Sequence, residues 1–135
     1  MIPLNELRIG NYVLCEGRLE RLALINNKTS AVDVENTKDD QQGELALSSI
    51  HPVPLTDDIL RQCEFVFHDY FKFWQLVNGK DKLRSEMDID TDYNVIDFMR
   101  RPLVKKVGSL HQLQNIYFML KGHELLFQQT ATVHP

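Results

Sequence analysis

The chain has 135 residues, 43% of them hydrophobic and 25% charged, with a formal net charge of −4. That length supports a domain with a buried core, and the composition lies far from the polar, highly charged corner where chains stay disordered. Two cysteines, Cys15 and Cys63, show neither the density of a disulfide framework nor a paired-thiol metal spacing, and read as buried thiols in a reducing compartment.

The N-terminal stretch carries Glu6 and Arg8 where a secretion signal needs an unbroken apolar run, and the longest such run, Ile116 to Leu120, is far short of a membrane span. A cytoplasmic protein without membrane contact is expected. Of the aromatic residues only Tyr12 precedes Phe65, so a core built by the first half must be aliphatic. There Leu7, Ile9, Val13 and Cys15, then Leu22 and Leu24, then Val32 and Val34, then Leu45 and Leu47 recur at even spacing, which predicts four short strands. Glu16-Gly17 and Asn26-Asn27-Lys28 carry turn chemistry, and the polar stretch from Asn36 to Gly43 reads as a mobile loop. Four short, strongly turned strands predict a curled SH3-like half-barrel.

His51-Pro52-Val53-Pro54 reads as an extended connector, because each proline biases its predecessor away from the helical region. Thr56 then offers an N-cap, Asp57 and Asp58 suit the positive end of a helix dipole, and Ile59, Leu60 and Cys63 form an apolar stripe on a helix of about two turns. From Phe65 the period returns to strands, over Phe65 to Phe67 and Tyr70 to Val77. Asn78-Gly79 gives a strong hairpin signal, followed by Leu83, Met87 and Ile89 on one face against Arg84, Glu86 and Asp88 on the other. Tyr93 to Met99 and Leu103 to Val107 continue the meander, with Pro102 confining that junction to an edge or a bulge. Ser109-Leu110-His111-Gln112 fits a capping box, Leu110, Leu113, Ile116, Tyr117 and Leu120 recur at helical spacing, and Gly122 supplies the stop. The run from Tyr117 to Leu120 reads as core.

Three segments, Asn5 to Val13, Ile50 to Leu60 and Leu110 to Phe118, resemble a family of small uncharacterised proteins from Bacteroidetes genomes, prophages and mobile elements. The resemblance implies a bacterial or phage accessory protein and carries no activity with it. The family places glycine after the cysteine that ends the first helix; here Glu64 stands there, and glutamate meets a steric cost in the left-handed conformation that glycine does not.

Asp88, Asp90 and Asp92 match the first three positions of a calcium loop, but Tyr93 replaces the sharp-turn glycine and Met99 the bidentate glutamate, so a solvated acidic turn is the better reading. His123-Glu124 begins a zinc-protease-like string that fails at Phe127, and His51, His68, His111 and His134 show no ligand spacing. No phosphate loop and no nucleophile elbow is present, and Cys63 lies on an apolar stripe. No catalytic residue, metal site or cofactor is expected. Residues 1–60 hold five Lys or Arg against ten Asp or Glu, whereas residues 100–135 hold five against the single acid Glu124. Arg100, Arg101, Lys105 and Lys106 therefore form the candidate site for an anionic partner, with charge protection of an edge strand as the alternative. His111, Gln114 and Asn115 share a flank of the last helix with Phe118, which is either a polar reading surface or a set of amides serving strand ends.

These readings converge on an α+β protein with an N-terminal curled antiparallel sheet, a short linking helix, and a C-terminal meander with one capped helix. It forms one compact unit over 1–135 with subdomains 1–55 and 56–135. The expected function is that of a non-catalytic binding or accessory protein of a bacterial chromosome, prophage or mobile element. Its partner is another protein, or a nucleic acid held weakly by the basic C-terminal region. A small enzyme with a fold-assembled acid and histidine site, or a phage structural or assembly component, are the alternatives.

Overall fold

The computed structural model describes residues 2–35, 45–77 and 85–128. Over them the chain is α+β, with two antiparallel five-stranded sheets and few helices. The polar loop expected at 36–43, the Asn78-Gly79 turn, Leu83, Arg84 and His134 lie outside the described residues. The chain divides into two compact units, Met1–Pro54 with Ser109–Asn115, and Leu55–Gly108 with Ile116–Pro135.

In the first unit β1 (Tyr12–Cys15), β2 (Arg18–Asn26), β3 (Ala31–Val34), β4 (Leu45–Ala46) and β5 (Ile50–His51) lie in the order β4-β3-β2-β1-β5. Side chains alternate across each strand, and the inward set is aliphatic, as the early lack of aromatics requires: Ile2, Val13, Cys15, Leu22, Val32, Val34 and Ile50 are all buried. Four details depart from the sequence expectation, the first being that β4 ends at Ala46 and Leu47, expected in that strand, opens a 3-10 turn over Leu47–Ser49. Ile50–His51 is a fifth strand, which takes His51 out of the expected connector, and it pairs with β1 through Leu14↔His51 and Cys15↔Ile50. The first strand does not reach back to Leu7 and Ile9: Leu4–Glu6 is a 3-10 turn, the Asn11 amide donates to the Arg8 carbonyl, and Ile9 is exposed. Leu22 and Leu24 do not share a face, because the register with β3 slips between them, leaving Leu22 buried and Leu24 exposed.

The second unit opens with α1 (Asp57–Gln62), where the Ile59 amide donates to the Thr56 hydroxyl at 3.2 Å as expected of the cap. Its sheet comprises β6 (Val66–His68), β7 (Phe73–Val77), β8 (Ser85–Asp90), β9 (Val95–Ile96) and β10 (Pro102–Val104) in the order β10-β9-β8-β7-β6, so Pro102 lies on an edge strand. Trp74, Met87, Ile89 and Val95 form the buried face. Three expected strands are trimmed: residues 70–72 form a turn in which the Lys72 amide donates to the His68 carbonyl, only Val95–Ile96 of the strand expected over Tyr93 to Met99 forms, and β10 stops at Val104. Glu86 also leaves the face predicted for it. Leu76 pairs with Met87 but Val77 with Ser85, so Glu86 is the extra residue of a bulge that turns its side chain toward Tyr117.

The long helix α2 (Leu110–Lys121) contributes residues to both units. Leu110, Leu113 and Tyr117 are buried, but Phe118, Met119 and Leu120 are exposed, so the apolar run at its end is not core. Helical geometry spreads consecutive residues around the axis, so one face cannot take them all.

Candidate functional site

The four predicted cations stand at and after the turn that joins β9 to β10. Asp97 builds this turn: its Oδ1 accepts from the amides of Met99 and Arg101, each at 2.9 Å, and its carbonyl accepts from the Arg100 amide. The Arg101 amide, the Met99 amide and the Arg101 guanidinium hold the Asp97 carboxyl below its ordinary range. Arg101 lies 3.4 Å from Asp97 Oδ2, so its charge is partnered locally. Arg100 sits in the left-handed region at φ 65°, and its guanidinium lies over Phe71 and Phe73, 5.5 and 5.2 Å from the ring centres, while Nη1 donates to the Phe71 carbonyl at 2.8 Å. Lys105 and Lys106 are exposed beyond the end of β10, and the Lys106 amide donates to Asn94 Oδ1. Two of the four cations are thus spent on building the protein surface, and the lysines do not lie on a strand.

His111, Gln114 and Asn115 meet the loop before β1. Gln114 Nε2 donates to the Gly10 carbonyl at 3.0 Å while its Oε1 accepts from the Tyr12 amide at 2.8 Å. Asn115 Nδ2 donates to the Glu6 carbonyl, and its Oδ1 accepts from Asn11 Nδ2 and Arg8 Nε. His111 Nδ1 lies 3.0 Å from the Ser109 hydroxyl and Nε2 lies 3.2 Å from Glu6 Oε1. Asn11, His111 and Gln114 are buried and their polar atoms have partners inside the protein, which is how buried amides ordinarily serve a backbone that turns away from its ladder. Burial is the larger influence on His111 and holds its pKa below the ordinary value, against the opposing pull of Glu6.

The acidic turn is also internally bonded. Asp90 Oδ1 accepts from the amides of Asp92 and Asn94, and Oδ2 from Asn94 Nδ2. Among the described residues no three His, Cys, Asp or Glu side chains gather where they could hold a metal ion. Burial, with Glu64 beside it, pushes the Cys63 thiol up to about 12, so it is not a thiolate near neutral pH. Among the described residues no helix is long and apolar enough to cross a membrane.

What the sequence reading missed is the surface beside Arg100. Phe71, Phe73, Ile96 and Phe98 line an open cleft of about 240 Å³ in the second unit, with Asp88, Asp97 and Arg100 at its polar margin. Phe98 is 90% exposed and Tyr70 87%, and Phe71, Met99 and Leu103 are also exposed. A signal was present in Tyr70-Phe71-Lys72-Phe73 and Phe98-Met99-Arg100, where aromatic and basic residues interleave, but these aromatics read only as parts of the expected strands Tyr70 to Val77 and Tyr93 to Met99. The chain matches no protein-family model, no curated protein and no solved structure.

Proposed function

We propose that the protein is a non-catalytic binding protein, an accessory component of a bacterial chromosome, prophage or mobile element acting in the cytoplasm. In this reading it docks a protein segment bearing one large apolar side chain into the cleft of the second unit. The observation that carries the reading is the 90% exposure of Phe98 at the mouth of a cleft walled by Phe71 and Phe73. Aromatic side chains, methionine and arginine are the residues enriched at the centres of protein interfaces, and a ring left in water contributes nothing to the fold that holds it. Arg100, stacked on two rings and tied to a carbonyl, gives the cleft a fixed wall that loses little freedom on binding.

A nucleic acid is the weaker partner. Asp88 and Asp97 face the cleft, Arg101 is paired, and the two exposed lysines would neutralise about two phosphates, for a logarithmic salt slope of only about −2. The order β4-β3-β2-β1-β5, with a 3-10 turn at Leu47–Ser49 leading into β5, supports an SH3-like reading of the first unit.

Selection of a displayed peptide library on the immobilised full chain tests the proposal. Enriched peptides are expected to share an aromatic or aliphatic anchor and to lose roughly tenfold or more in affinity for Phe98→Ala. Failure to enrich any common anchor, or equal binding by the variant, overturns it. Single-stranded oligonucleotide binding that is abolished in Lys105→Glu/Lys106→Glu and unaffected by Phe98→Ala transfers the function to nucleic acid.

A further inference from the structure

A second cavity in the same unit, of about 300 Å³, has a different character. We propose that it is a binding site for a protonated alkylamine, with the ammonium on Glu86 and the hydrocarbon against Leu76, Val77 and Leu126. The bulge in β8 brings Glu86 to Tyr117, whose hydroxyl donates to Oε2 at 2.8 Å and fixes the carboxylate. Gly122, at φ 79°, then turns the chain after α2 so that His123 stands edge-on to the Tyr117 ring at 5.3 Å, with Nε2 3.9 Å from the same carboxylate oxygen. Among the described residues Oε1 of Glu86 takes no hydrogen bond, which leaves it to accept from a ligand.

The lining determines the ligand's chemistry. Its polar side is anionic, with Glu64 and Glu124 beside Glu86, and among the described residues no lysine or arginine lines it. Leu76, Val77 and Leu126 supply an apolar wall beside that polar side, so a ligand needs both a positive head and a hydrocarbon body. A charge-assisted bond from an ammonium to a carboxylate already held in place is stronger than a neutral one. Burial and the bond to Glu86 push the Tyr117 hydroxyl far up, so it remains a donor and does not compete as an anion.

Butylammonium, butan-1-ol and butyrate, which share a four-carbon chain and differ in charge, are titrated into the full-length protein while backbone amide resonances are followed by NMR. Butylammonium is expected to give saturable shifts at Ser85 to Met87 and at Gly122 to Glu124, with butyrate silent. Glu86→Gln keeps an oxygen acceptor for the Tyr117 hydroxyl but removes the charge, and is expected to raise the Kd about tenfold. Leu126→Arg, at an exposed position on the rim, is expected to abolish binding and serves if the glutamine variant misfolds. The proposal is overturned by any of three results: no saturable butylammonium shift, equal affinity for the alcohol or the carboxylate, or undiminished binding by both variants.

Discussion

At the residue scale, Glu64 shows how a strained position is held by its surroundings. The Glu64 amide donates to the Arg61 carbonyl and the Phe65 amide to the Leu60 carbonyl, the paired bonds that end a helix through a left-handed residue, and Glu64 takes that role at φ 72°. Buried Leu60 and Phe65 flank the motif and fix it. Since the left-handed conformation costs a side-chain-bearing residue about 1–2 kcal/mol, Glu64→Gly is expected to stabilise the protein by about 1 kcal/mol in urea melts, despite losing the exposed bond from Gln128. A destabilised variant would show that this contact outweighs the strain. The opposite sign is expected at Gln114: Gln114→Ala leaves the Tyr12 amide and the Gly10 carbonyl without partners and should cost about 3 kcal/mol in the same assay. A loss under 1 kcal/mol would mean that water replaces the amide. His111 sets a pH dependence. Its folded pKa lies below the unfolded value of about 6.5, so the unfolded chain binds the extra proton; its contribution is complete above that pH and is lost as pH falls below it. Denaturant midpoints should therefore fall from pH 7 to pH 5.5, and His111→Gln should flatten that slope; an unchanged slope removes His111 as its source.

At the scale of elements, what was legible depended on whether a signal was local. The Thr56 cap, the start of α2 and the aliphatic first sheet follow from neighbouring residues alone, and the structure contains them. Ile50–His51 was not legible as a strand because two residues carry no period, and its pairing is with β1, far back in the chain. The bulges at Ala23 and Glu86 were not legible either, because a register slip belongs to a pair of strands. The same limit hid both cavities: their walls come from several elements, and the aromatics of the open cleft have the same composition as a core strand. Within α2 the contrast is measurable. Leu113→Ala should cost about 2–5 kcal/mol because its side chain is wholly buried, whereas Leu120→Ala, at an exposed position, should stay within about 0.5 kcal/mol. Equal costs would place the buried face of the helix wrongly.

At the scale of the whole molecule, the first unit is discontinuous in sequence, with Ser109–Asn115 belonging to a body otherwise made of Met1–Pro54. The fragment 1–54 lacks the side chains that satisfy the loop before β1, and at this size a domain has little stability to spare. It should give the collapsed amide spectrum of an unfolded chain; a dispersed spectrum would show that the sheet stands without its helix segment. The bond between Asn11 and Asn115 spans 104 positions. Closure over such a span is slow, because the intervening chain must be ordered before the contact returns any energy. On the ribosome the N-terminal strands emerge long before the residues that lock them, so during synthesis the first half of this protein waits on the last helix, with its aliphatic strands open to chaperones for that interval.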